Sequence, residues 1–485
     1  MRYLDWTIIV VYLAGITWFG AHFRGRQKSL KDYFLGGRTA PWWAIALSIV
    51  SAETSTLTII GTPALAFTGD FGFLQVVFGY LLARIVIALL FLPHYFRGEM
   101  YTAYELIEVR FGPRLRRVTA ATFLIVRAFA EGVRVFAISI VISIVLGTGE
   151  MVSIVLIVCL TLFYTFEGGM TAVIWTDVAQ MFLYVFGAVV SFLVILHQVP
   201  GGWAHVAAVA APLGKLRVFD FSFHLAPEYF SRPYTFWAGL VGGCFLTTAS
   251  HGTEQLMVQR LLAARDERQS RAALFASWAV IFVQFGLFLL IGLTLFVLRS
   301  DSRQPAPQPL DRLYPEFVWH SLPPGLAGLV IAAILAAAMS NLSAALNALT
   351  STTVIDFWRP LASKPPGRIG ELGLARAATI AWGAVLLGIG AFARHWGGVL
   401  ETGLTIASIA YGGLLGVFLL GLLPRRIPQN AAILGMAAGV GTEVYVKLAT
   451  HIAWTWFAAI GTVVTFVSAW VVSLPMEGDS GERRR

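Results

Sequence analysis

The chain has 485 residues, of which 57% are apolar and 13% charged, and its mean hydropathy is +0.74. These values exclude a water-soluble globular protein and indicate a polytopic membrane protein. A net charge of +9 would suit nucleic-acid binding, but the distribution of basic residues argues against it, as described below. Cys159 and Cys244 both lie in apolar runs, and they predict neither a disulfide framework nor a metal site.

Apolar runs long enough to cross a bilayer recur along the whole chain. They predict an all-α integral membrane protein with about thirteen transmembrane helices. The runs cover residues 4–23, 41–66, 71–95, 118–147, 150–166, 171–198, 233–258, 272–298, 323–356, 373–393, 398–423, 428–448 and 452–474. An odd number of spans places the two termini on opposite sides of the membrane.

Basic residues are concentrated in every second connection between these runs. The rich segments are 24–38, 97–117, 260–271, 359–376, 425–426 and the tail 483–485. By the positive-inside rule, the N-terminus lies outside and the C-terminus in the cytoplasm of a multi-pass protein of the cell's inner (plasma) membrane. The basic charge is thus explained by topology and by contact with the lipid bilayer. We therefore expect no nucleic-acid partner, and no obligatory protein partner is evident.

One stretch is too polar for its depth in the membrane. Residues 48–63, read as SIVSAETSTLTIIGTP, close with Gly61 and Pro63, and they surround Glu53 with the hydroxyl side chains of Ser48, Ser51, Thr54, Ser55, Thr56 and Thr58. An ionisable side chain at mid-membrane costs roughly 2.5–3.5 kcal/mol on insertion scales. Clustered hydroxyls with a Gly-x-Pro ending predict an interrupted helix that lines a cavity. Hydroxyls bonded back to their own backbone are the structural alternative.

Charges inside other spans also indicate special positions. Glu131 lies four residues after Arg127 and three before Arg134, so one helix face can hold an ion pair inside the bundle. We interpret Arg127 and Glu131 as a structural pair, with a solute contact as the alternative. Asp177 falls about two turns into its helix and is either a partner of a cytoplasmic Arg or a point that attracts a cation.

Two further stretches combine polar and small residues within apolar runs. Residues 244–260, CFLTTASHGTEQLMVQR, predict a second discontinuous helix. Within it, His251 is either a hydrogen-bonded core residue or a pH-sensitive gate. Residues 332–356 repeat small side chains at helical spacing, which is typical of a packing seam between membrane helices. Ser340 and Asn341 there offer oxygens suited to a hard cation.

Several segments resemble the sodium:solute symporter family. They are YFLGGRTAPWW (33–43), GTP (61–63), TAYELIEVRFG (102–112), GGMTAVIWTD (168–177), HGTEQLMVQR (251–260) and AAILAAAMSNLSAALN (332–347), closing at Asp356. The resemblance implies a LeuT-type fold with a 5+5 inverted repeat, one extra helix before the core and two after it. It assigns 1–24 to the first helix, 41–198 and 233–423 to the two repeats, 428–474 to two C-terminal helices, and 475–485 to a cytoplasmic basic tail.

The resemblance also implies a sodium site. Its oxygens would come from the carbonyls of Ser51 and Thr54 on the first broken helix, and from Ala337, Ser340 and Asn341 on the facing helix. The family usually has Ser or Thr at the position of Asn341, whose amide oxygen can also bind a cation. Asp177 matches the family acid linked to the inner sodium path.

These observations predict a transporter: a sodium-coupled symporter that imports a small polar solute by alternating access, with a preference for an organic anion or vitamin-like solute over a sugar. The candidate solute contacts are Glu53, Thr58, Gln75, Tyr80, Thr247, Ser250, His251 and Glu254. Proton coupling through Glu53 is the alternative. A channel is less favoured because no filter sequence repeats. A membrane enzyme is less favoured because no nucleophile–base pair or metal-ligand spacing is present.

Overall fold

The computed structural model describes residues 3–22, 36–97, 103–164, 170–358 and 368–482, and these ranges contain helices, turns and irregular backbone but no strand. The principal helices are α1 (Tyr3–His22), α2 (Trp42–Glu53), α3 (Thr56–Thr68), α4 (Leu74–Tyr95), α5 (Ala103–Phe111), α6 (Pro113–Leu146), α7 (Glu150–Tyr164), α8 (Met170–Gln198), α9 (Gly202–Ala210), α10 (Phe236–Gly252), α11 (Gln255–Leu262), α12 (Glu267–Asp301), α13 (Leu313–Ser321), α14 (Leu326–Thr352), α15 (Arg368–Ala393), α16 (Val399–Leu422), α17 (Gln429–Ala449) and α18 (Phe457–Glu482).

The predicted all-helical membrane protein is confirmed. Nine helices in the described ranges are long and apolar enough to cross a bilayer, and the bent pair α2–α3 makes a tenth. The three other predicted runs correspond to α1, α7 and α10, whose apolar parts are shorter. A count of thirteen spans and the orientation of the termini therefore stay predictions.

Some helix boundaries differ from those expected. Helix α6 begins at Pro113 instead of 118, because proline is well suited to the first turn of a helix. Helix α18 continues to Glu482, through the predicted start of the tail at 475. The basic segments 23–35 and 359–367 and the residues 483–485 lie outside the described part of the chain.

The described chain divides into two compact units, each built from three separate segments. The first comprises Met1–Gly72, Arg127–Val218 and Ala276–Gly403, and the second comprises Phe73–Val126, Phe219–Phe275 and Leu404–Arg485. Each unit draws helices from both halves of the sequence. The predicted division into two inverted repeats stays a prediction.

In the first unit, α14 is the central helix. Helix α1 packs along it, and α8 packs against both α14 and α2. Close approach depends on small residues: a Cβ on Gly187 of α8 would lie 2.7 Å from a methyl group of Val330 on α14. Trp43 and Trp175 meet edge to face, with ring centroids 5.6 Å apart, and join α2 to α8.

Helix α14 is capped by a side chain from another helix. Its N-cap residue, Gly325, has φ +90° and no side chain to accept the first amide protons. Asp5 of α1 is fully buried, and its Oδ1 accepts from the N–H groups of Gly325 (2.7 Å) and Gly328 (2.8 Å). A Cβ on Gly328 would lie 2.5 Å from Asp5 Cα, so glycine there is what lets α1 approach.

In the second unit, α4 packs along α10, and α17 packs along α18. The α4–α10 contact is nearly backbone to backbone. A Cβ on Gly243 would lie 2.2 Å from the carbonyl oxygen of Val76, and one on Gly79 would lie 2.6 Å from that of Gly239. In lipid, where apolar burial between helices gains little, such close packing holds helices together.

A buried acid also lies in a connection between two membrane-spanning helices. Asp311, in the short helix Leu310–Arg312, is 3% exposed and accepts from the N–H of Val399 at 3.2 Å, at the start of α16. Burial raises the pKa of Asp311 from 3.8 to about 6; the Val399 N–H opposes this rise and the Glu401 carboxylate adds to it.

We predict that Asp5→Ala destabilises the protein by about 1–3 kcal/mol, because two buried N–H groups at the start of α14 lose their acceptor. Thermal unfolding in detergent would measure this as a lower midpoint. The matched control is Thr7→Ala on the same helix, since Thr7 is exposed and bonds only locally, to the carbonyl of Tyr3. Equal midpoints for the two variants would contradict the capping role.

A second prediction concerns pH. Because the folded protein binds the Asp311 proton more tightly than the unfolded chain does, stability is fully present below about pH 4. It falls as the pH rises towards 6 and is then level. The shift of roughly two units corresponds to at most about 3 kcal/mol. In midpoint measurements across this range, Asp311→Asn should show a smaller fall than the wild type, and parallel curves would contradict the assignment.

Candidate functional site

The first broken helix lies in the first unit. Helix α2 ends at Glu53 and α3 begins at Thr56, and the two axes differ in direction by 65°. The turn is made by Thr54 (φ −85°, ψ 87°) and Ser55 (φ −88°, ψ 174°), whose ψ angles are incompatible with a helix.

The interruption therefore lies within the predicted stretch 48–63, but it is not formed by Gly61 and Pro63. Both lie inside α3. They serve packing instead: a Cβ on Gly61 would lie 2.6 Å from Leu400 Cβ, and Gly292 of α12 lies against the backbone of Pro63. The predicted interruption is thus present within the stretch, and the residues that form it are Thr54 and Ser55.

The turn leaves two carbonyl groups at the end of α2 without their usual helical hydrogen bonds. The N–H of Ser55, which would bond to Ser51 in a continuous helix, bonds to the carbonyl of Glu53 at 3.2 Å. The N–H of Thr58, which would bond to the carbonyl of Thr54 in a continuous helix, bonds to the carbonyl of Ser55 at 2.9 Å. The carbonyl oxygens of Ser51 and Thr54 thus receive no helical N–H. They lie at the negative end of the α2 dipole, which favours a cation.

Side chains from two other helices hold this turn. Ser48 donates to Asp177 Oδ2 at 2.6 Å, which ties α2 to α8. Gln284 Nε2, on α12, donates to Thr54 Oγ1 at 2.7 Å. All four residues are buried, with at most 4% of their surface exposed. Buried polar groups of this kind rigidify a site when they are bonded to one another.

Tyr184 and Gln284 are residues that sequence reasoning missed. The hydroxyl of Tyr184, on α8, faces the hydroxyls of Ser51 and Thr54. Each is a polar side chain in the middle of an apolar span, and that signal could have identified both.

The helix facing the turn is α14. Ala337 on it is buried, and Asn341, one turn further, lines a cleft together with Ser55 and Thr56. Ser340 lies between them on α14, but its side chain falls outside the described part of the structure. The fold therefore brings Asn341 to the same cleft as two residues at the helix break.

The cleft is narrow and is lined by both polar and apolar side chains. Two charged residues of α6, Glu131 and Arg134, form part of its wall, opposite the first residue of α3, Thr56. The N-terminus of α3 directs backbone N–H groups and the positive end of a helix dipole towards this space.

The charges of α6 are arranged as one acid between two bases. Glu131 is fully buried; its Oε1 lies 3.0 Å from Arg127 Nη2 and also accepts from Arg134. One carboxylate cannot neutralise two guanidinium groups, so the cluster carries a net positive charge. Arg134 Nε has no hydrogen-bond partner among the described residues, whereas Arg127 is not part of the cleft wall.

The predicted solute contacts are divided between the units. Glu53, half-buried, and Thr58, buried, belong to the first. The second unit holds the other six: Gln75, Tyr80, Thr247, Ser250, His251 and Glu254. The described geometry is that of each unit taken separately.

The second unit contains the other predicted helix break. Helix α10 ends at Gly252 and α11 begins at Gln255, so Thr253 and Glu254 form the interruption. Ser250 Oγ lies 2.8 Å from His251 Nδ1, and the Tyr411 hydroxyl donates to Glu254.

Gln75 has a different environment. Its Nε2 donates to the carbonyl of Tyr234 at 2.8 Å, and its Oε1 accepts from the N–H of Asp220 at 2.9 Å. Both ends of the amide thereby fix the loop before α10 to helix α4. To contact a solute, Gln75 would have to exchange these bonds.

Comparison with known proteins gives a consistent result. The sequence matches the sodium:solute symporter family over residues 33–439. It is 30% identical to the human sodium/iodide cotransporter over 442 residues, which is 88% of this chain and 66% of that protein. It is 27% identical to the sodium/sialic acid symporter NanT of Aliivibrio fischeri over 482 residues, covering 97% of this chain and 93% of that one.

The fold agrees with the sequence match. A solved structure of a Na⁺-coupled sialic acid symporter, in a substrate-bound outward-open state, superimposes with a TM-score of 0.82 at 25% identity. The superposition covers 97% of this chain and 98% of the solved chain. The chain therefore belongs to the sodium:solute symporter family and is a multi-pass membrane transporter with a LeuT-type fold.

Proposed function

We propose that this protein is a sodium-coupled symporter that imports a small organic anion by alternating access. The observation that carries the proposal is the break between α2 and α3, which exposes two opposite helix ends at one place. The carbonyls of Ser51 and Thr54 offer negative partial charge, and the N-terminus of α3, beside Arg134, offers positive charge. A cation and an anion can therefore bind next to each other.

Sodium would take hard oxygen ligands. The carbonyls of Ser51 and Thr54 are supported by their release from the helix ladder. Ala337, Ser340 and Asn341 would complete the set from α14. Asp177 would attract the ion along an inner path, since its carboxylate lies one hydrogen bond from Ser48 on α2.

Arg134 is the proposed partner of the solute's anionic group. Its guanidinium shares Glu131 with Arg127 and borders the cleft, so part of its charge is available to a ligand. The relatives described above carry iodide or sialic acid, and both are anions at neutral pH. Glu53 and Thr58, and the six candidates of the second unit, remain proposed solute contacts.

The charge of the solute decides how uptake is driven. One sodium with a monovalent anion moves no net charge, so only the sodium concentration gradient drives it. A second sodium would add one charge, worth ~2.3 kcal/mol at a membrane potential of about 100 mV. The inward sodium gradient sets the direction of uptake. The proposed orientation places the N-terminus outside and the C-terminus in the cytoplasm of the plasma membrane.

The first test is uptake of radiolabelled small organic anions, such as pyruvate and sialic acid, into proteoliposomes. We expect accumulation only with an inward sodium gradient. Ser340→Ala and Asn341→Ala should each raise the sodium concentration for half-maximal uptake about tenfold, which corresponds to ~1.4 kcal/mol of lost binding. Asn347→Ala is the matched control, because Asn347 is exposed on the same helix.

Accumulation driven by a proton gradient without sodium would contradict sodium coupling. It would favour the alternative in which Glu53 carries the proton, and Glu53→Gln should then abolish uptake. Transport that equilibrates the solute without concentrating it would indicate a channel.

The second test separates Arg134 from Arg127. Arg134→Gln should raise the KM for the solute by about tenfold or more, because a charge-assisted contact is worth roughly 1.5–3 kcal/mol. Arg127→Gln removes a charge from the same cluster but not from the cleft wall, so it should lower the thermal midpoint while leaving KM nearly unchanged. The same change in KM for both variants would contradict a direct contact.

A further inference from the structure

Three helices of the second unit enclose an acid that the proposed transport mechanism does not use. Glu443 on α17 is 0% exposed, and neither of its carboxyl oxygens is hydrogen-bonded to a side chain among the described residues. It lies within a helix that is apolar enough to span the membrane. An ionised carboxylate in such a place would be unstable unless it were paired.

The surrounding helices have a slot for this side chain. A Cβ on Gly412 of α16 would lie 2.0 Å from Glu443 Oε1, and a Cβ on Gly461 of α18 would lie 1.9 Å from the same atom. Only glycine at both positions leaves room for the carboxyl group. One turn earlier on α17, Gly439 makes a similar contact with Thr465, so the three helices meet closely here.

In the described part of these helices, the backbone N–H of Gly412 on α16 approaches the carboxyl, but no positively charged side chain faces it. From Phe457 to Leu474, α18 has no ionisable residue. On α17, Lys447 and Tyr445 are exposed, and on α16 the hydroxyl of Tyr411 is bonded to Glu254. Glu401, the other ionisable residue of α16, is about three turns from Gly412.

The other polar neighbours are bonded elsewhere. The hydroxyl of Thr462 donates to the carbonyl oxygens of Ala458 (2.6 Å) and Gly412 (3.2 Å), and not to the acid. Helix α10, which packs against α18, contributes Cys244 and His251 as its titratable groups, and the His251 ring lies beside Ser250.

We propose that Glu443 is a proton-binding site: its carboxyl group holds a proton as the neutral acid within the slot formed by α16, α17 and α18. The proton is the one cation that needs no further ligands, which matches a carboxyl with carbon and glycine neighbours. The site is separate from the residues proposed for sodium and solute, and it does not depend on that proposal. Loss of the proton at high pH would place an unpaired charge between the three helices and loosen their packing.

Infrared difference spectroscopy of the full-length protein in lipid vesicles tests this directly, since the carbonyl stretch of a protonated carboxylic acid is distinct from that of a carboxylate. The band of Glu443 should be present at pH 7, absent in Glu443→Gln and unchanged by sodium. It should disappear only at alkaline pH. If no band at pH 7 depends on Glu443, or if sodium removes that band, the proposal is overturned, and in the second case the group is a cation ligand.

Thermal unfolding provides an independent readout. Because Gln matches the shape of the neutral acid, Glu443→Gln should keep the wild-type midpoint at pH 7 and, unlike the wild type, should keep it at pH 9. Gly461→Ala should lower the midpoint by several degrees in the wild type but much less in a Glu443→Ala background, where the slot is empty. Additive effects of the two changes, or a wild-type midpoint that does not fall at pH 9, would contradict the assignment.

Discussion

A backbone carbonyl inside a bilayer needs a hydrogen bond, and this constraint decides where a membrane protein can bind an ion. The helix break at Thr54 and Ser55 leaves the carbonyls of Ser51 and Thr54 without helical donors. Such a break is tolerated because protein, and not lipid, surrounds it: Ser51, Thr54 and Ser55 are all buried. The hydrogen bonds from Gln284 and Ser48 hold the broken segment, and with it the freed carbonyls, in place.

The same constraint explains how the fold treats its buried acids. Asp5 replaces the missing cap of α14 and bonds to two backbone N–H groups. Glu131 lies between two arginines and leaves a positive cluster beside the cleft. Asp177 accepts from Ser48 next to the helix break. Glu443 has no charged or side-chain partner among the described residues, which is why a bound proton is the simplest way to accommodate it.

Most of the fold could be predicted from the sequence. Each of the thirteen apolar runs coincides with a helix or a broken helix pair, because a bilayer of fixed thickness requires long apolar segments. Both interruptions were also predicted, since clustered polar residues at mid-membrane depth are costly unless they line a cavity or a helix break. Their exact residues were less accessible: Gly61 and Pro63 signalled a break, yet they lie inside α3 and accommodate Leu400 and Gly292. Local sequence does not reveal which residue of another helix will pack against a glycine.

In the candidate site, too, local sequence predicted some features and only the packing of distant helices decided others. The family resemblance was enough to nominate Ser51, Thr54, Ala337, Ser340 and Asn341. Asp177 stood out because a carboxylate is unusual in an apolar span. Only the tertiary structure joined Gln284 to Thr54 and placed Arg134, rather than Arg127, at the cleft. The sequence by itself determined the membrane-embedded helices and the kinds of polar groups they carry, since hydropathy and periodicity are local properties. The tertiary structure decided which of those groups meet, because each meeting depends on the packing of helices that are far apart in the chain.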